Sequence, residues 1–431
     1  MNSFYDFEEY EEYYRLRDKK GERVILHSDL NNFFASVETL FSKELKNVPL
    51  AICGDREARH GIVLAKNEIA KKYGVKTGDT ISVALKKCPF LVTRPCRYEE
   101  YVKQSRRVRE IYLSFATRVE SFGIDEAWID VTDLAIRERG TDIFSSGKKI
   151  AERIRERVKA ETGLTVSVGV SFNKTFSKLA SDMKKPDAVT VISFENYKEK
   201  VWDLPVENLL FVGRRTKEEL KKFKIETVGD LARQKRIALR NELGKSGELL
   251  WDRANGFDLS PVEYYHKSTH TKSVSVSTTM PYDATSFEEA NSVISTISDG
   301  ISEELRRRKT KGGTVKLFVK YSDLSSFVRQ QKLTERTYSS LDIYFTATAL
   351  FKESVDFSKP VRAIGVGVDD FFEMSDEQMS IFSNTYETAL DRVLDKTREK
   401  YGDRVIQRAS VMKNSRLSEF DKKHVCFNTG L

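Results

Sequence analysis

The stretch Glu120–Thr132, ESFGIDEAWIDVT, sets two carboxylates, Asp125 and Glu126, side by side in an otherwise apolar, β-branched run. Side chains alternate faces along a strand, so in a regular strand the pair points in opposite directions. Asp125 would then share a face with Ala127, Ile129 and Val131, where an unpaired carboxylate is costly. Without a cation, adjacent carboxylates repel and at least one pKa rises. With a divalent metal they become a ligand set, because Mg²⁺ is held by carboxylates together with substrate phosphates. A two-ion site draws its carboxylates from different chain segments. Asp29 offers a third, since it ends the apolar run RVILHSDL (Arg23–Leu30) and precedes NNFFASVETLF, where apolar residues recur at helical spacing. Gly123, just ahead of the pair, permits a bend at which strict alternation lapses. On these residues alone, ordinary strand-edge carboxylates remain the alternative.

The chain around this stretch has 431 residues, enough for about three domains. Charged residues make up 32%, above the usual share of roughly 25%, and the formal net charge is +8. A basic surface favours a polyanionic partner without proving one. The four cysteines form no C-x-x-C pair and the five histidines do not cluster with them. That argues against a zinc site or disulfide framework and for idle thiols in a reducing compartment. The acidic, aromatic start MNSFYDFEEYEEYY is the reverse of a targeting peptide, and no apolar run approaches the ~20 residues of a membrane span. A soluble, cytoplasmic protein is expected.

From Arg23 to Ser193 strands precede and follow each helix, which suits an antiparallel α+β arrangement of ferredoxin-like style as well as a parallel sheet. Residues 194–261 read as all helix with glycine turns. There LLFVGRRTKEELKKFKIETVGDLA suggests a helix–hairpin–helix whose free N–H groups around Gly213 and Arg214 suit a phosphate. Residues 262–272 lack apolar periodicity and read as a linker. A second α/β unit follows, with Lys272 and Ser273 at its start and Arg306 and Lys311 about a helix end, placed to meet a nucleic-acid backbone. The helix macrodipole explains part of that basic cluster as well.

These residues carry a resemblance. HSDLNNFFASVE and GIDEAWIDVT are similar to the two catalytic motifs of Y-family DNA polymerases of the DinB, or DNA polymerase IV, type. GVSFNKTFSKLASDMKKP resembles the third palm motif of that family, YGVKTGDTISVALKKCP its fingers, LLFVGRRT its thumb hairpin, and the distal α/β unit its little finger. The likeness spans Arg23 to Phe371 in the family's order. It implies a multidomain α+β right hand: an acidic extension (1–22), a ferredoxin-like palm (23–38 and 98–193), small fingers (39–97), an all-helical thumb (194–261), the linker (262–272), an α/β little finger (273–371) and a tail (372–431). It also implies error-prone translesion synthesis without proofreading, on primer–template DNA with dNTPs, by a monomer. Asp29, Asp125 and Glu126, with the Leu30 carbonyl, would bind two Mg²⁺, for which Mn²⁺ substitutes. Phe34 corresponds to the steric gate against ribose. Phe33 and Phe34 leave a helix on different faces, so only one need be core. Lys66, Lys71 and Lys185, with Phe33 and Phe34, are the expected nucleotide contacts.

Several positions depart from the family pattern. Asn31 stands where an acid is usual, Gly123 where a serine is, and Phe211 where the thumb turn carries a glycine. The fingers offer Ala65, Glu68 and Lys71 in place of Thr and Tyr-x-x-Arg, and a lysine lacks arginine's bidentate fork. Beyond the last domain, Gln378, Met379, Ser380, Ile381 and Phe382 resemble the peptide by which bacterial polymerases dock on the sliding clamp, the β subunit. A catalytically silent relative acting as a scaffold would lack the acidic triad. A nucleotide cyclase would not need a basic helical thumb.

Overall fold

The computed structural model describes residues 23–54, 61–138, 142–265, 272–373, 385–402 and 405–406. The acidic extension 1–22 and the clamp-type residues Gln378–Phe382 lie outside them. The chain forms two compact units that divide between residues 267 and 268.

In chain order the first unit contains β1 (Ile25–Leu30), α1 (Phe33–Phe41), β2 (Leu50–Cys53), β3 (Val63–Lys66), α2 (Glu68–Lys72), α3 (Ile81–Lys87), β4 (Val92–Pro95), α4 (Tyr98–Leu113), β5 (Val119–Ser121), β6 (Glu126–Asp130), α5 (Thr132–Arg137), α6 (Ile143–Thr162), β7 (Val166–Ser171), α7 (Lys174–Met183) and β8 (Val189–Ile192). A helical region follows: α8 (Tyr197–Val201), α9 (Arg214–Lys222), α10 (Val228–Ala232), α11 (Arg236–Leu243) and α12 (Lys245–Ala254).

The main sheet has the order β5-β6-β1-β7-β8. β1 is antiparallel to both β6 and β7, and only β7 and β8 run parallel. All six residues of β1 are buried, as a central strand covered on both faces requires. Alternation along β1 sorts the helices. Ser28 bonds Tyr112 of α4 (2.8 Å), whereas His27 bonds Ser181 of α7 (2.8 Å), so α4 and α7 cover opposite faces. The α4 face also receives α6, whose Ile150, Ile154 and Val158 are fully buried at helical spacing. Burial of each such side chain contributes about 1.5–3 kcal/mol. Asp142 caps the start of α6 and Gly163, at φ 73°, its end.

Helix α7 lies unusually close to the sheet because Gly169 of β7 has no Cβ. A methyl there would meet the Ser177 carbonyl at 1.9 Å and the Ser181 nitrogen at 2.5 Å. The smaller sheet, β3-β2-β4, encloses its own core of Ala51, Val63, Ala70, Ala84 and Leu91, with the free thiols Cys53 and Cys88 packed into it.

The second unit contains β9 (Ser273–Ala284), α13 (Phe287–Arg307), β10 (Thr310–Tyr321), β11 (Ser326–Thr337), α14 (Ser340–Ser354), β12 (Val361–Glu373) and α15 (Thr385–Tyr401). Its antiparallel sheet runs β11-β10-β12-β9, with α13 and α14 on one face over Val315, Leu317, Ile364 and Val366. The other face is small and polar: Gly365 packs against Ser277 and Gly367 against Ser275. β11 escapes a reading of apolar alternation because residues on both of its faces are exposed. Part of the tail packs on this unit as α15. Arg306 of α13 forks onto Asp395 of α15 (2.7 and 2.8 Å), and Arg398 of α15 is buried 3.5 Å from Asp299.

Candidate active site

The antiparallel register between β1 and β6 sets Asp29 directly opposite Glu126. Directly paired residues share a face, here the α7 face, and their Cβ atoms lie about 5 Å apart. Asp125 stands just outside β6, in the four-residue bend that closes the β5–β6 hairpin, with Phe122 N–H donating to the Glu126 carbonyl (3.0 Å). The Asp125 carbonyl accepts from the Leu30 N–H (3.0 Å), which ties the bend to the end of β1. The pair thus does not lie within one regular strand.

Gly123 is not what makes the bend. Its φ is not positive, and a Cβ there would meet Asp125 Oδ1 at an ordinary 3.5 Å. Helix α4 pins the turn instead: Arg109 donates to the Gly123 carbonyl (2.8 Å) and Ser105 to the Ile124 carbonyl. Both side chains are buried.

Two lysines neutralise the carboxylates. Lys185 Nζ lies 2.7 Å from Asp29 Oδ2 and 2.8 Å from Asp182 Oδ1, and Lys178 Nζ lies 2.8 Å from Glu126 Oε2. His27 Nε2 faces the same Glu126 oxygen at 3.4 Å. Burial pushes the Asp29 carboxyl up to about 7, with Lys185 offsetting only part of the effect and Glu126 adding to it. Burial raises Asp125 too, and the Glu126 charge adds to this. Burial also works against the Glu126 charge, but hydrogen bonds to His27 and Lys178 prevail and hold it at about 2. For Lys185 the burial penalty is outweighed by Asp29, and its pKa is raised. Burial pushes the His27 imidazole down, with Glu126 opposing the shift.

Among the described residues no group of three His, Cys, Asp or Glu side chains is already gathered as a metal cage. The donors nevertheless fit a hard divalent cation: three carboxylates from two strand ends, two with pKa values raised by burial and two paired with lysine ammonium groups.

The aromatic pair separates as its helical position requires. Phe33 is buried in the core, while Phe34 is half-buried and stacks on the Tyr101 ring (4.3 Å between centroids, 16° between planes). Tyr101 is fixed by Glu38 (2.8 Å), which also accepts a fork from Arg97 (2.9 and 2.6 Å). Asn31 is a hydrogen-bonding hub: its amide nitrogen donates to Ser167 Oγ (2.9 Å) and its oxygen accepts from the Asp187 N–H (2.9 Å). It thereby ties the Lys185 turn to β7. Lys66 and Lys71 lie on the smaller sheet and α2, Lys66 bonded to Thr77 (3.3 Å) and Lys71 paired with Glu68 (3.6 Å).

The expected DNA contacts divide. Gly213 caps α9 with its own side free, and Arg214 is 91% exposed beside Glu218. Lys272 and Ser273 are exposed at the start of β9, and Lys311 lies 5.3 Å from the Tyr338 ring. Arg306 does not fit the expectation: its guanidinium is largely covered and committed to Asp395. Lys178, His27, Ser105, Arg109 and Tyr101 escape sequence reading. Their roles come from contacts across 14 to 99 positions of chain, and only the run of polar residues on the inner face of α4 hints at them.

A Y-family DNA polymerase chimera of Dbh and Dpo4 superposes with a TM-score of 0.72 at 24% identity, covering 81% of this chain and 99% of that one. The fold is therefore that of a Y-family DNA polymerase. The impB/mucB/samB family matches residues 28–182, and its C-terminal domain residues 271–381. The DNA polymerase IV of Acetivibrio thermocellus is 46% identical over 401 residues, 92% of this chain and 99% of its own. Those of Clostridium acetobutylicum and Clostridium kluyveri are 34% and 35% identical, over 90% and 91% of this chain and 98% and 99% of theirs. The chain belongs to this impB/mucB/samB family, together with the DNA polymerase IV proteins.

Proposed function

We infer that the chain is a DNA-directed DNA polymerase that performs translesion synthesis, adding dNTPs to a primer 3′-hydroxyl with release of pyrophosphate. The observation that carries this reading is the cross-strand pairing of Asp29 with Glu126, flanked by Asp125 in the pinned bend. Asp29, Asp125, Glu126 and the Leu30 carbonyl would hold two Mg²⁺ ions, or Mn²⁺ in their place, which lower the hydroxyl's pKa and neutralise the leaving pyrophosphate. The chain's own part is positioning. Lys185, freed from Asp29, reaches the triphosphate, and Lys66 and Lys71 approach it from the fingers side. Lys178 and His27 hold Glu126 in place. Phe34, backed by Tyr101, closes the space beneath the sugar and excludes a 2′-hydroxyl.

The reading extends to the partners. Gly213, Arg214, Lys272, Ser273 and Lys311 contact the DNA backbone, and Gln378–Phe382 dock on the sliding clamp in the bacterial cytoplasm. Primer extension with dNTPs and Mg²⁺ tests the chemistry: wild type extends and Asp125→Ala does not. Failure of wild type to extend DNA that it binds would sink the reading. Deleting Gln378–Phe382 should abolish clamp stimulation while sparing basal synthesis, and equal loss of both rejects the clamp contact.

A further inference from the structure

A pocket of about 430 Å³ opens in the first unit beside the carboxylates, walled by the β5–β6 hairpin, the start of α7, the turn before α9 and the end of α12. Four aromatic rings line it: Phe122 and Trp128, whose centroids are 4.7 Å apart, Phe257, and Phe211 from the turn. Most of its charges are spent. Lys174 pairs with Glu120 (2.6 Å), Asp252 accepts a fork from Arg236, and Asp258 accepts from the Thr175 N–H and hydroxyl (3.1 and 2.8 Å).

Arg253 is the exception. Among the described residues its guanidinium makes no hydrogen bond and no ion pair, and it rests 4.4 Å from the Phe211 ring. Phe211 is itself anomalous. It is 60% exposed and sits at φ 74°, a left-handed conformation rare for a bulky residue. The chain holds this ring out, against a cation whose N–H groups are open.

Asp258 and Asp252 act on the Arg253 charge from the same pocket, but neither takes its N–H groups, and a half-covered guanidinium with its fork open suits a phosphate. Rings beside it suit a stacked base, and such stacking tolerates any base. The volume falls in the range of small-molecule sites, roughly 300–1,000 Å³. A paired base is already engaged in its duplex and cannot enter. Trp128 follows Glu126 by two residues on the same face of β6, a rise of about 7 Å, so the pocket adjoins the place where the 3′ end must lie.

We propose that this pocket binds one unpaired nucleotide of the strand being extended, its phosphate on Arg253 and its base between Phe211 and the Phe122–Trp128 pair. The inference rests on the polymerase reading and adds a device for strand ends that are bulged or frayed.

Single-turnover extension of two primed templates tests it, one fully paired and one with an extra primer-strand nucleotide next to the terminal pair. Arg253→Ala and Phe211→Gly should each lower extension from the bulged primer about tenfold relative to the paired one. Arg253→Lys, which keeps the charge but not the fork, should fall between. Replacing the extra nucleotide by an abasic one should erase the Phe211→Gly effect and retain that of Arg253→Ala. Equal losses on both primers would make Arg253 an ordinary duplex contact and overturn the proposal, as would no loss on either. Thermal denaturation of each variant separates misfolding from loss of binding. A wild-type protein that extends neither primer refutes the polymerase reading instead.

Discussion

Burial disfavours the charge on Asp29, so Asp29→Asn should stabilise the metal-free protein above pH 7 while abolishing synthesis. The carboxyl is 7% exposed and its pKa rises from 3.8 to about 7, a rise of roughly three pH units. At about 1.4 kcal/mol per unit, that amounts to about 4 kcal/mol of strain above pH 7. That figure is already net of the opposing pull of Lys185, which in the variant keeps Asp182 at 2.8 Å. The gain is about 4 kcal/mol, or roughly 8–16 °C in the transition of the first unit. The sign follows from linkage. A carboxyl whose folded pKa lies above its unfolded one favours folding while protonated and loses that advantage as pH rises through about 4 to 7. The gap between Asn and wild type should therefore be small near pH 4 and full by pH 8. Thermal denaturation in EDTA across that range measures it. Mg²⁺ should then close the gap by stabilising wild type alone. A variant no more stable than wild type at pH 8, or a gap independent of pH, would refute the idea that burial dominates this site.

Three further outcomes are expected. Phe34→Ala should raise ribonucleotide incorporation by tenfold or more, read as the ratio of kcat/KM for dNTP and rNTP; an unchanged ratio returns Phe34 to core packing. Arg109→Met should lower kcat about 10- to 100-fold with a smaller change in dNTP KM, because the bend carrying Asp125 loses its buried clamp; steady-state kinetics checks this. Gly169→Ala should cost about 2–3 kcal/mol and depress activity, since its methyl has no room beneath α7, whereas Gly123→Ser should be neutral in the same denaturation assay.

The three candidate carboxylates were legible in the sequence because their signal is local: two adjacent acids in an apolar run, and a third at a strand end. What shapes them was not. Gly123 is the natural suspect for the bend, yet the turn is held by Ser105 and Arg109, which look like ordinary polar residues of an amphipathic helix until α4 is laid under the sheet. The partners of Glu126 are similarly hidden, for Lys178 reads as a solvated helix lysine and His27 as a core residue. In the second unit, exposure on both faces removes the alternation that would mark β11. Arg306 misleads in the opposite direction. A basic helix end suggests a nucleic-acid contact, but the acid that claims it lies 89 positions away.

Helix α15 sets where the chain can be shortened. Cutting after β12 would remove Asp395 and Arg398, and with them their contacts to Arg306 and Asp299 of α13. Such a truncation would confound loss of a docking peptide with loosening of the unit that bears it. Substituting Gln378 and Phe382 within the intact chain keeps the two effects apart.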